Sequence, residues 1–146
     1  MRIVISSDPI LLNILWAVVR YRAQEVGFPE QDAEGLALAV NEAASNVMRH
    51  AYGNRRDARL AIEILTFSDR MEFILEDWGR KVRPEEIRPR PLEELRPGGL
   101  GTHIIQCLTD ERWYDMGFAE GNRLKMVKYL PRKATDNDES ANQDGR

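Results

Sequence analysis

The rhythm of apolar positions changes several times along this chain, and each change marks an element. Arg2 to Ser6 is β-branched and alternating, which predicts a short strand. Asp8 then stands as an N-cap, with Pro9 at the first helical position. Ile10, Ile14, Ala17, Val18 and Tyr21 recur at helical spacing, and Leu11, Leu15 and Val19 widen that stripe. This helix should fade near Val26-Gly27, with Phe28-Pro29 as the break. A second helix is predicted over about residues 30–52, with Leu36, Val40, Ala43, Val47 and Ala51 as its apolar line and Gly53-Asn54 as its stop. Leu60 to Phe67 and Met71 to Glu76 flank Ser68-Asp69-Arg70 and predict a hairpin.

Past the hairpin comes Asp77-Trp78-Gly79, then a proline-containing loop from Arg80 to Pro97. Loops beyond about 12–15 residues are often lids or binding loops. Leu100 to Leu108 reads as a helix. Trp113 to Met116 and Leu124 to Leu130 read as strands around a turn at Gly117–Asn122. The order of elements predicts an α/β fold: a two-layer α/β sandwich, its mixed sheet covered by helices on one face. Ala134 to Arg146 holds no large apolar residue, so 134–146 is expected to be a disordered tail behind a domain at 1–133.

Composition narrows the setting. A length of 146 residues fits one domain. Cys107 is the only cysteine, so no internal disulfide can form, and a reducing compartment is expected. Met1 to Asp8 lacks a signal-peptide core, and no run approaches the roughly 18 apolar residues of a membrane span. A cytoplasmic protein without membrane contact is expected. The formal charge is −3 with both signs interspersed, which argues against a nucleic-acid partner. Even the arginine-rich loop Arg80–Arg96 carries Glu85, Glu86, Glu93 and Glu94, and on its own reads as a solvated surface segment or a lid.

The candidate chemistry lies in three places. Residues four apart on a helix stack on one row, so Glu42, Asn46 and His50 line up. Their row lies about 100° around the helix from Ala43, off the apolar line. A solvated row is the plain reading for such residues. Small neighbours (Ala39, Ala43, Ala44, Ser45) would instead admit another group, and asparagine is a poor interior helix residue. Phosphoryl transfer requires a group to orient or deprotonate a hydroxyl and a Mg2+ held by few protein oxygens. Glu42 suits the first role and the Asn46 amide oxygen the second. Asp77, at a strand end before Gly79, either caps a turn or accepts from an exocyclic amine such as that of adenine. Gly98, Gly99 and Gly101 run into a helix start near Thr102, where outward N–H groups favour an anion.

The order of these features resembles the GHKL-type ATP-binding fold and, within it, the small anti-sigma-factor serine/threonine kinases. The resemblance covers roughly residues 5 to 130. Glu42 to Asn46, ending His50-Ala51-Tyr52, matches the helix motif of that family. Asp77-Trp78-Gly79-Arg80-Lys81 matches its first glycine box, and Gly98-Gly99-Leu100-Gly101 its second. The resemblance implies ATP and Mg2+ as cofactors, Glu42 as catalytic base and Asn46 as the metal ligand. It implies that Asp77 reads the adenine amino group with Gly79 nearby, and that Gly98, Gly99, Leu100, Gly101 and Thr102 wrap the phosphates. It also implies an antagonist protein with a serine or threonine phosphosite (STAS-like) as substrate, a sigma factor as second partner, and a homodimer. Lys81 departs from the pattern, standing where the first box has its second glycine. A module that binds nucleotide and partner without transferring phosphate is the alternative, and a histidine-kinase catalytic domain a more distant one. His103 is read as a helix-surface residue, His50 as orienting its row, Cys107 as a small core residue, and Trp16, Trp78 and Trp113 as packing residues. No Cys/His spacing suggests zinc.

Overall fold

The computed structural model describes residues 1–83, 85 and 101–132. Strand β1 (Arg2–Ser6) leads through a short 3-10 turn (Pro9–Leu11) into α1 (Leu12–Val26) and α2 (Glu30–Asn46). Strands β2 (Arg59–Thr66) and β3 (Arg70–Asp77) follow, then α3 (Gly101–Leu108), β4 (Glu111–Tyr114) and β5 (Asn122–Tyr129). The Asp8 carboxylate accepts from the Ile10 N–H, so the anticipated cap is present. At the other end of α1, Gly27 takes a left-handed conformation (φ 109°).

The sheet order is β1-β2-β3-β5-β4. Every described pairing is antiparallel, where a mixed sheet was expected. The connections explain the difference. Two helices separate β1 from β2, so the chain reverses three times and β2 returns antiparallel. One helix separates β3 from β4, so these two run the same way, but β5 lies between them and pairs antiparallel with both. The layered α/β class is as expected.

The core lies between sheet and helices. Leu60, Ile62 and Ile64 of β2, Met71, Phe73 and Leu75 of β3, and Leu124 and Met126 of β5 meet Leu36, Val40 and Ala44 of α2. On α1 the expected stripe is displaced. Ile10, Ile14 and Tyr21 are 69%, 60% and 60% exposed, while Leu15, Val19 and Ala23 are buried. A helix apolar over so wide an arc leaves the choice of face to its neighbour, and α1 packs on the alanine-rich α2. Cys107, expected in the core, is exposed on α3. Trp78 and Trp113 lie at the surface, 37% and 46% exposed, near the Arg59 and Lys125 cations rather than packed inside. Trp16 does pack against the core. The tail from 134 and most of the loop 80–97 lie outside the described residues.

Candidate functional site

The site begins where α2 ends. The helix does not run on to residue 52: its α-helical ladder stops at Asn46, and a π-turn spans Val47–Ala51. The wider turn re-registers the chain, so Met48 is buried and His50 is exposed. The expected Glu42–Asn46–His50 row therefore survives only as Glu42 and Asn46. Asparagine's poor helix propensity is accommodated because Asn46 sits at the end of the α-helical segment rather than within it.

Glu42 and Asn46 are only partly buried, and the start of α3 backs onto them. A Cβ on Gly101 would stand 2.9 Å from Glu42 Oε2 and 3.4 Å from Asn46 Oδ1. Glycine at 101 thus keeps the helix start and the polar pair in contact. Arg112 of β4 donates to the Thr102 carbonyl at 3.0 Å and fastens the first turn of α3 from the sheet side. Burial favours the neutral form of that guanidinium. Arg49 Nη2 donates to Asn46 Oδ1 at 2.9 Å, a contact that spacing alone did not signal. Among the described residues the Glu42 carboxylate has no hydrogen-bond or ion-pair partner.

The second part of the site is the end of β3. Asp77 is the last residue of that strand, 2% exposed, opposite Leu60 on one side and Asn122 on the other. Its Oδ1 accepts from the Gly79 N–H at 2.9 Å and from Asn122 Nδ2 at 2.9 Å. Burial pushes the Asp77 carboxyl above its ordinary value, while the bonds from Asn122 and Gly79 and the charge of Lys81 hold it back.

Gly79 ties the two parts together. A Cβ there would lie 2.5 Å from the Ala51 carbonyl oxygen, which also accepts from the Arg80 N–H at 3.0 Å. The Tyr52 hydroxyl adds a second tie, accepting from the Trp78 N–H at 2.9 Å while donating to the Arg59 carbonyl. Lys81, the departure from the expected glycine, donates from Nζ to the Phe118 carbonyl and so tethers the loop to the β4–β5 turn.

The end of α2 is therefore common to both halves: Glu42 and Asn46 face Gly101, and Ala51 and Tyr52 hold the segment Asp77–Arg80. Gly98, Gly99 and Leu100 lie outside the described residues. Asn122, assigned from the sequence to a turn, opens β5 and is buried beside Asp77. The available signal was its place directly before an alternating apolar run.

Comparison with known proteins agrees with this architecture. A family model described as a histidine kinase-like ATPase domain matches residues 5–128. The serine-protein kinase RsbW of Bacillus pumilus is 30% identical over 144 residues, covering 92% of this chain and 88% of that protein. Its namesakes from Bacillus cereus strain ZK and Listeria monocytogenes are 33% and 32% identical, covering 80% and 78% of this chain and 76% of each relative. Among solved structures, the RsbU and RsbW domains of Rv1364c from Mycobacterium tuberculosis align with a TM-score of 0.63 at 18% identity. That match covers 92% of this chain and 33% of the larger one. The histidine kinase domain of a blue-light activated kinase from Erythrobacter litoralis aligns with a TM-score of 0.57, also at 18% identity, covering 84% of this chain and 60% of that one. These two likenesses concern the fold. The chain belongs to the histidine kinase-like ATPase domain family, in the branch of the RsbW serine-protein kinases.

Proposed function

We propose that this chain is an ATP-dependent serine/threonine kinase of the anti-sigma type, which phosphorylates an antagonist protein in a partner-switching system. The observation that carries the reading is the packing of Gly101, at the start of α3, against Glu42 and Asn46. A phosphate cradled by the N–H groups of a helix start there would lie beside a carboxylate and an amide oxygen.

In this reading Glu42 takes the proton of the substrate hydroxyl as its oxygen attacks the terminal phosphorus and the bond to the ADP oxygen breaks. Thr102 and the glycines before it hold the phosphates, and Asp77 accepts from the adenine amino group. Among the described residues no group of three or more His, Cys, Asp or Glu could hold a metal ion. A Mg2+ that takes one protein oxygen and keeps phosphates and waters fits such a donor set. Asn46 Oδ1 would hold it, and the ion would neutralise charge on the phosphate oxygens. For that, the Arg49 guanidinium must leave Asn46 Oδ1.

The test is incubation with labelled ATP and a purified STAS-like antagonist, followed by phosphoamino-acid analysis. Label on serine or threonine is expected. Nucleotide-dependent complex formation without label would instead leave a non-catalytic binding module. The proposal extends to a sigma factor as second partner and to a homodimer in the cytoplasm. Co-purification with the sigma factor and sedimentation velocity test those parts, and a monomer at tens of micromolar would remove the dimer.

A further inference from the structure

We propose that Asn122 is the positioning residue of the base-reading carboxylate: it fixes Asp77 so that Oδ2 alone is offered to the nucleobase, and it thereby sets the preference for adenine over guanine. This rests on the reading of Asp77 as the adenine contact.

The geometry is unusually complete for one amide. Nδ2 donates to Asp77 Oδ1 at 2.9 Å and to the Arg80 carbonyl at 2.8 Å, while Oδ1 accepts from the Val82 N–H at 2.7 Å. Two acceptors face the nitrogen and one donor faces the oxygen, so the amide has one allowed orientation. Asn122 is 5% exposed and sits opposite Asp77 in the β3–β5 ladder. Directly before it, Gly121 has no room for a side chain, since a Cβ would lie 1.9 Å from the Asp77 carbonyl oxygen. The side chain of 122 is thus delivered to Asp77 by the strand pairing and by a close backbone approach.

The Gly79 N–H and Asn122 together occupy Asp77 Oδ1. No side chain of the described residues donates to Oδ2, and this is the atom left for an exocyclic N–H. Orientation and ionisation are linked here. Burial raises this carboxyl, the two donors on one oxygen oppose that rise, and an ionised Oδ2 can only accept. That suits the amino group of adenine and rejects the carbonyl oxygen of guanine. Take Asn122 away and the protonated carboxyl becomes more accessible. A carboxylic acid can donate to a guanine oxygen, so discrimination should fall. Lys81 also lowers the carboxyl's proton affinity, and the Tyr52 phenol senses the Asp77 charge from the end of α2. Neither occupies Oδ1, so neither can replace Asn122 in aiming the carboxylate.

The experiment measures ATP and GTP affinities by calorimetry between pH 5.5 and 8 for the wild type, Asn122→Leu, Asp77→Asn and the double variant. The expected result for Asn122→Leu is at least a tenfold loss of ATP affinity. Its ATP-to-GTP preference should also fall more steeply than that of the wild type as pH is lowered. In the Asp77→Asn background, Asn122→Leu should cost less than threefold, because its route to the base is already gone. Two results would overturn the proposal: unchanged ATP affinity in Asn122→Leu, or a loss equal for both nucleotides at every pH and undiminished in the double variant. If Asn122→Leu does not fold, Asn122→Ala replaces it with the same expectations. Should Asp77→Asn bind ATP like the wild type, the adenine assignment itself fails, which is distinguishable from failure of Asn122 alone.

Discussion

If Asp77 reads the base as proposed, stability and function conflict inside a single residue. Burial raises its carboxyl above the ordinary value, so the ionised form destabilises the free protein at neutral pH. A raised carboxyl contributes stability at low pH that is lost as pH climbs through its folded value. Asp77→Asn should therefore melt higher than the wild type at pH 7.5, by about 2–5 °C, the shift that roughly 1 kcal/mol produces. The same variant should bind ATP measurably but at least tenfold more weakly. Calorimetric scans of the free and ATP-bound proteins check both halves. Glu42 calls for the opposite outcome. Glu42→Ala should bind ATP normally and transfer phosphate at least ~100-fold more slowly in single-turnover assays. The two residues also differ in how readable they were. Glu42 and Asn46 announce each other, because one helical turn is a local spacing. Asn122 and Asp77 are 45 positions apart and meet only through the β3–β5 register, which no local pattern encodes.

At the scale of elements, the face and the end of each helix decide the site. The helices and the β2–β3 hairpin were legible, because periodicity and turn residues are local. The buried side of α1 was not, since an apolar arc that includes both Ile14 and Leu15 satisfies two faces equally. The π-turn after Asn46 was hidden because a wider turn leaves the local composition helix-like and alters only register. Contact between α2 and α3 is tight enough to test. Gly101→Ala places a methyl 2.9 Å from Glu42 Oε2, a flexible carboxylate that can yield. The fold should therefore survive with a melting temperature close to wild type, while kcat falls about tenfold or more if Glu42 is the base, because the methyl displaces it. A large drop in thermal stability with normal kcat would contradict this. The outer face of the sheet carries its own cross-strand tie. Glu76 accepts from Arg2 of β1 at 2.8 Å and from Arg123 of β5 at 2.9 Å, spanning four strands of the sheet. Burial pushes its carboxyl up, but the two arginines outweigh this and hold it below the ordinary glutamate value. A depressed carboxyl stabilises the fold above the ordinary value and loses that contribution as pH falls through the folded one. Glu76→Gln should cost about 1–2 kcal/mol in urea titrations at pH 7, and much less at pH 3, where the wild type has lost the same contribution.

For the whole molecule, the decisive fact is that no single element contains the candidate site. β3 supplies Asp77, the turn after α2 supplies Ala51 and Tyr52, α2 supplies Glu42 and Asn46, and α3 brings Gly101. All four pack on one core, so nucleotide binding and global stability are coupled by mass action. A ligand at 100 times its dissociation constant stabilises by about 2.7 kcal/mol when it binds only the folded state. Mg·ATP at that excess should raise the melting temperature of the wild type accordingly. Asn46→Ala separates the metal from the rest of the site. Asn46 is only partly buried, and its amide oxygen bonds Arg49 rather than another element, so the free variant should unfold close to the wild type. What it should lose is the increment that Mg2+ adds to ATP alone. Melting curves with ATP plus chelator and with Mg·ATP read that difference directly. An undiminished Mg2+ increment would remove Asn46 as the metal ligand. An undiminished response to ATP plus chelator, with the Mg2+ increment gone, would assign Asn46 to the ion and leave the purine to the Asp77 side of the cleft.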